Sequence, residues 1–268
     1  MRPRKPFRHK PSGSESPPRP QPQMGGRYWV YGHHPVTGAL ANPLRRVHRI
    51  LAVDAAPGGL PPGKTAERVG PADLSALLPA GAVHQGLAAL VDPLRLVDLA
   101  ELLEDLAPEG ARHLVVLDQV TDPQNVGAIL RSAAAFGAAG VILTERHAAP
   151  ESGALAKAAS GALDALPLVR VVNLVRAIEA LKQAGFWCLG LAAEGEKTLA
   201  EAEARGRVAL VLGAEGTGLR RLTREHCDQL VRLPTGGPID QLNVSNAAAV
   251  ALYELVREHP PAPRPHPS

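Results

Sequence analysis

From His113 onward the sequence repeats one theme: a short, almost unbroken apolar run, then a helical stretch, then another apolar run. The runs are "HLVVLD", "GVILT", "LPLVRVV", "FWCLGLA", "VALVLG" and "QLVRLP". A strand with one wet face alternates polar and apolar side chains. Continuous apolar runs therefore predict strands buried on both faces, as in a parallel sheet covered by helices. The helices between them are expected over Val126 to Phe136, Ser152 to Ser160, Leu174 to Ala184, Leu219 to His226 and Val244 to Arg257. Ligands of such sheets bind in loops past the carboxyl ends of the strands. The informative loops are 118–125, 213–218 and 234–243.

The block before this region reads as a smaller α/β unit. "RYWVYG", "VHRILAV" and "HQGLAALVD" are strand-like, while "PVTGALAN" and "PADLSALL" are helix-like, the second capped by Asp73. The 268 residues thus suggest two domains, each with its own core. The expected division is a basic Pro-rich tail at 1–26, a small α/β unit at 27–105, a linker at 106–112, a larger α/β domain at 113–258 and a tail at 259–268. Arg45, Arg46 and Arg49 follow the first helix, near Tyr28 and Trp29, and such a mixture of cations and aromatics can hold phosphates and stack on bases. A solvated strand edge explains it almost as well. The net charge of +3 is compatible with a polyanionic partner but does not demand one. Two cysteines exclude a disulfide framework or a zinc knuckle and fit a reducing cytoplasm. No apolar run approaches the ~18 residues of a membrane span, so no membrane association is expected.

Of the informative loops, Gly213 to Gly218 reads GAEGTG after a strand and first suggests phosphate binding. A P-loop would need Lys and Ser or Thr after the last glycine, where Leu219 and Arg220 stand. The dinucleotide pattern begun at Gly216 breaks at Arg221. Glu215 repels phosphate and favours a cation, a hydroxyl or an arginine, so the loop suits a positively charged cofactor. A plain strand-to-helix turn reads equally well from this segment alone. In the last loop, Asn243, Ser245 and Asn246 offer helix caps before an alanine-rich helix that carries no charge until Glu254. A helix so apolar around its girth should be enclosed, and a second subunit is the favoured cover.

The helix after Asp122-Pro123 carries one charge, Arg131. At 100° per residue Val126, Ile129, Leu130, Ala133 and Gly137 form the stripe that faces the sheet, and Arg131 lies off it. Gly127 sits one turn earlier in the column of Arg131. A glycine there costs roughly 1 kcal/mol of helix stability, which suggests that space is needed, and the vacancy could admit a substrate beside Asn125 and Arg131.

Together, "DPQNVGAILRSAAAFG", "LVLGAEGTGLRRLT" and "PIDQLNVSNAAAVALYE" resemble the three signature motifs of the SpoU, or TrmH-type, RNA ribose 2′-O-methyltransferases. They stand in the family's order and cover essentially all of 113–257. The preceding block resembles the substrate-binding domain of the branch that methylates a guanosine in 23S ribosomal RNA. The resemblance implies an α/β fold with a deep trefoil knot at the carboxyl end, S-adenosylmethionine as methyl donor, and a homodimer. General folding rules argue against knots, so that expectation rests on the resemblance alone.

By the same resemblance, Arg131, Asn125, Glu215, Asn243 and Ser245 are the catalytic set, and Gly213, Leu233, Leu242, Leu212 and Gly218 contact the cofactor, largely through backbone. Gln241 departs from the serine common two residues before the motif-three asparagine. Arg45, Arg46 and Arg49 would hold RNA. Family proposals make the arginine a base. A guanidinium is protonated in almost every protein context, so Arg131 is expected to be essential through charge and position, its protonic role open. A transfer-RNA ribose methyltransferase and a noncatalytic RNA-binding ribosome-assembly factor are the alternatives.

Overall fold

The computed structural model describes residues 26–53, 60–106, 113–202, 206–238 and 241–257. The two expected tails and the expected linker fall, except for one residue at an edge of each of the tail at 1–26 and the linker, outside the described residues.

Seven parallel strands form the larger sheet, in the order β7-β6-β5-β10-β8-β11-β9. The strands are β5 (His113–Asp118), β6 (Val141–Thr144), β7 (Leu168–Val171), β8 (Phe186–Leu191), β9 (Lys197–Thr198), β10 (Arg207–Gly213) and β11 (Gln229–Arg232). All six apolar runs are strands, and β9, too short and too polar to stand out, is added at the edge. Every residue of β5 is buried, because helices cover both faces of the sheet. Val115 and Leu117 point into one core cluster with helices α4 (Pro123–Ala135), α5 (Gly153–Ala159), α6 (Ala162–Ala165) and α9 (Val244–Val256). Leu114 and Val116 point into the other with α3 (Leu99–Asp105) and α7 (Leu174–Gln183), next to α8 (Arg221–His226).

The smaller sheet has the order β1-β4-β2-β3, from β1 (Tyr28–Tyr31), β2 (Val47–Ala52), β3 (Glu67–Arg68) and β4 (Leu87–Val91). Helix α1 (His33–Ala41) follows β1. Helix α2 (Pro71–Leu77) starts after Gly70 with Pro71 in its first turn, so Asp73 lies inside that turn and is not the cap. Tyr28, Val30, Val36, Leu87, Ala89 and Val91 belong to the same core cluster as β5, α4 and α5. One face of the small sheet thus shares a core with the large sheet, while its other face keeps a core of its own, built from Tyr31, Leu51, Leu74, Leu78 and Ala88. Apolar patterning shows that a face is buried, and leaves open against what.

Candidate functional site

The three motifs meet at the carboxyl end of the large sheet. Helix α4 begins there because Pro123 occupies its first turn and the Asp122 side chain accepts from the Gln124 N–H at 3.0 Å. That start delivers Asn125 to the mouth of the sheet, 8% exposed. Strand β10 lies beside β5 with Gly213 in register with Asp118, so the turn that follows, 214–218, stands over the start of α4. Helix α9 starts at Asn243, whose Oδ1 accepts from the Ser245 N–H at 2.8 Å and from Ser245 Oγ at 2.6 Å.

The second half of the Asn243 amide turns outward. Its Nδ2 donates to Asn125 Oδ1 at 3.0 Å and to Glu215 Oε1, while Asn125 Nδ2 donates to Glu215 Oε2 at 3.3 Å. One carboxylate therefore collects two amides from two helices, and each asparagine is held in a single orientation. Four of the residues expected in the catalytic set, Asn125, Glu215, Asn243 and Ser245, are neighbours across 120 positions of sequence, from 125 to 245.

Arg131 is exposed on α4, away from the stripe of Val126, Ile129, Leu130 and Ala133, all of them 0% exposed. It makes no hydrogen bond or ion pair among the described residues. The space expected over Gly127 is not there. A Cβ on Gly127 would lie 2.4 Å from Ala158 Cβ and 2.8 Å from the Ala159 nitrogen, so the glycine is needed to let α5 pack on α4, and no substrate enters between them. What remains of the expectation is an exposed guanidinium on the open side of the helix.

Gly213 is pressed against the far side of its own turn, where a Cβ would come 2.1 Å from the carbonyl carbon of Gly218. This folded turn leaves Glu215, Gly216, Thr217 and Gly218 exposed. Leu212 is 1% exposed beneath it, Leu233 is partly buried after β11, and Leu242 is 44% exposed before α9. Leu212 anchors the turn from the core, Leu233 and Leu242 flank the segment between β11 and α9, and the carboxylate of Glu215 suits a cationic ligand better than a phosphate. The residues present fit S-adenosylmethionine. Among the described residues no cluster of three or more His, Cys, Asp or Glu side chains could hold a metal ion.

The sequence reading missed Asp118 and Arg220. Asp118, buried at the end of β5, accepts from Arg220 Nε at 2.6 Å and from the Arg220 N–H at 3.0 Å. This pair ties the exit of the 214–218 turn to the central strand. An acidic residue closing an otherwise apolar strand was the signal: a carboxylate at that depth needs a partner.

Arg45 is misplaced in the expected RNA-binding set. Its side chain is 0% exposed, paired with Glu151 at 2.7 Å and with Asp164 at 3.3 Å, and its guanidinium carbon lies 5.3 Å from the Tyr28 ring centre. Tyr28 Oη donates to Glu151 at 2.5 Å and accepts from Arg45. Burial, with Glu151 beside it, pushes the Tyr28 phenol far above its usual range, and burial raises the Asp164 carboxyl against the opposing pull of Arg45. A guanidinium enclosed by two acids cannot reach a phosphate. Arg46, 77% exposed along its side chain, and Arg49, 47% exposed and paired with Glu67 at 2.6 Å, remain at the surface.

Comparison with known proteins gives one answer. A 23S rRNA (guanosine-2′-O-)-methyltransferase, RlmB, of Pseudomonas aeruginosa is 47% identical over 182 residues, 67% of this chain and 73% of that protein. An uncharacterized tRNA/rRNA methyltransferase of Synechocystis is 44% identical over 176 residues, 65% of this chain but 46% of its own length. The crystal structure of the SpoU methyltransferase AviRb from Streptomyces viridochromogenes, in complex with the cofactor AdoMet, superposes with a TM-score of 0.71 at 27% identity, covering 87% of this chain and 90% of that one. The fold is therefore the α/β fold of the SpoU methyltransferases, with a small α/β unit ahead of it. The profile of the SpoU rRNA Methylase family matches residues 112–253, and the chain belongs to that family.

Proposed function

We propose that this protein transfers a methyl group from S-adenosylmethionine to the ribose 2′-oxygen of a guanosine in 23S ribosomal RNA, acting in the cytoplasm as a homodimer. The observation that carries the reading is the junction of Asn125, Glu215 and Asn243, which joins the three family motifs at one end of the sheet.

Bound S-adenosylmethionine supplies an electrophilic methyl on a sulfonium. Gly213, Gly218, Leu212, Leu233 and Leu242 would hold it, Leu233 and Leu242 against its adenosine and Leu212 with the two glycines through backbone hydrogen bonds. The ribose hydroxyl is a weak nucleophile at neutral pH, so placing it and stabilising its developing negative charge carry much of the rate. Arg131 is an exposed cation on the helix that bears Asn125, free among the described residues to hold the adjoining phosphate and the reacting oxygen. Asn125 and Glu215 keep the start of α4 fixed to the turn, and Asn243 with Ser245 fixes the start of α9. Asp118 holds Arg220 and so the exit of the same turn.

Support for the dimer comes from α9. Asn246, Val250, Tyr253 and Arg257 form an exposed stripe along it, with Val250 47% and Tyr253 56% exposed. Tyr253 stands edge-on to Phe136, ring centres 6.2 Å apart, so the apolar face continues from α9 to the end of α4. The direct test is a map of 2′-O-methyl groups across ribosomal and transfer RNA in cells with and without the gene. One guanosine of 23S RNA should lose its mark. A loss confined to transfer RNA, or no loss at all, overturns the reading.

A further inference from the structure

Arg45 sits where the two sheets join, and its partners come from both sides. Tyr28 belongs to β1, Glu151 precedes Ser152, the cap of α5, and Asp164 lies in α6. Glu151 also accepts from the Leu94 N–H at 3.0 Å, and Asp164 accepts from Asn42 Nδ2 at 3.3 Å. The packing around this cluster is backbone against backbone. A Cβ on Gly38 of α1 would lie 3.0 Å from Gly161 Cα, and one on Gly153 at the start of α5 would lie 2.3 Å from the Trp29 carbonyl oxygen. On its other side α5 touches α4 at Gly127, with equally little room. A line of contacts without slack thus runs from β1 through α5 to the helix that bears Asn125 and Arg131.

Units joined by a linker and a modest polar interface move relative to one another by default. Here the core is continuous, and close-packed interiors transmit displacement instead of absorbing it. We infer that Arg45, Glu151 and Asp164 are positioning residues that lock the small sheet to the catalytic helices, so that the distance from the exposed Arg46 face to Arg131 is a fixed ruler selecting one nucleotide of the bound RNA. This rests on the RNA methylation proposed above. The lock works through α5 and α4 and touches neither cofactor nor ribose.

Two variants loosen the joint by different means. Arg45→Met removes the shared cation, and Gly38→Leu wedges α1 away from the Gly161 backbone without touching a charge. Each should raise KM for a 23S RNA transcript at least about tenfold and spread methylation to additional guanosines, since phosphate contacts made by a displaced unit no longer coincide with the site. The dissociation constant for S-adenosylmethionine should stay within about twofold, because the partners of Arg45 and Gly38, namely Tyr28, Glu151, Asp164 and Gly161, include no residue of the turn 213–218. Folded variants that methylate the same single guanosine with an unchanged KM overturn the inference. If neither variant folds, hydrogen exchange of the unmodified protein decides. Amides of β1 and α1 exchanging as slowly as those of α5 support the lock, and exchange about a hundredfold faster overturns it. A wild-type protein that methylates no ribosomal RNA would instead sink the proposed function and leave the exchange result standing.

Discussion

Arg131 shows how much a single side chain can be asked to do. It carries a permanent charge on an otherwise uncharged helix and meets no counterion among the described residues, so its removal should cost chemistry more than stability. Arg131→Ala is expected to lower methyl transfer by about 10²–10³-fold or more, the scale of losing one preorganised donor to a developing oxyanion. Cofactor binding and sedimentation should be nearly unchanged, and retained turnover would exclude it from catalysis. Asp118 acts at one remove. Its buried carboxylate holds the Arg220 N–H and Nε together. Asp118→Asn keeps one acceptor and loses the charge. Since charge-assisted bonds are about twice as strong as neutral ones, cofactor affinity measured by calorimetry should fall about tenfold while KM for RNA changes little. Equal losses in both would mean a general loosening of the fold.

At the level of elements, α4 and α9 carry the site by opposite means. Helix α4 is held by contact on its inner side, and its glycine at position 127 is required by the approach of α5. Gly127→Val would force two backbones apart and should destabilise the protein by about 1–3 kcal/mol, read as a lower denaturant midpoint. An unchanged midpoint would mean that α5 shifts freely. Helix α9 buries Val244, Ala247, Ala248, Ala251, Leu252 and Val256 and leaves Val250 and Tyr253 in solvent. Its all-round apolar sequence thus divides into an inner face and an exposed one, which the proposed dimer would cover. Tyr253→Asp should shift the assembly from dimer to monomer in analytical ultracentrifugation, because a charge at the centre of an apolar interface is left unpaired. A dimer that persists in the variant uses another face.

Over the whole molecule, the proposed reading gives RNA affinity and RNA placement to different arginines. Arg46 is solvated and about 4.0 Å from Asp92, a contact worth little to stability. Arg46→Ala should weaken RNA binding at low salt and reduce the slope of log affinity against log salt by about one, as expected for one lost phosphate contact. An unchanged slope would place the RNA elsewhere on the protein. Arg45, one residue earlier, cannot contribute to that slope. It is enclosed by Tyr28, Glu151 and Asp164 and joins the two sheets from within.

What was legible in the sequence followed from short-range rules. Apolar runs without alternation located the six longer strands of the large sheet, and Asn243 marked where α9 begins, since caps and periodicity act within a few residues; Asp122 caps α4 so that it starts at Pro123, three residues before the expected Val126. The order of the motifs identified Asn125, Glu215 and Asn243, though nothing local said that one carboxylate would collect both amides. Gly127 and Arg45 were misjudged for a shared reason. A glycine's vacancy and an arginine's charge look the same in sequence whether solvent, substrate or another helix lies opposite, and only the packing of α5 against α4 and β1 decides which. Local chemistry determined which elements form. The tertiary structure alone determined what each buried face meets, because that depends on groups brought together from distant parts of the chain.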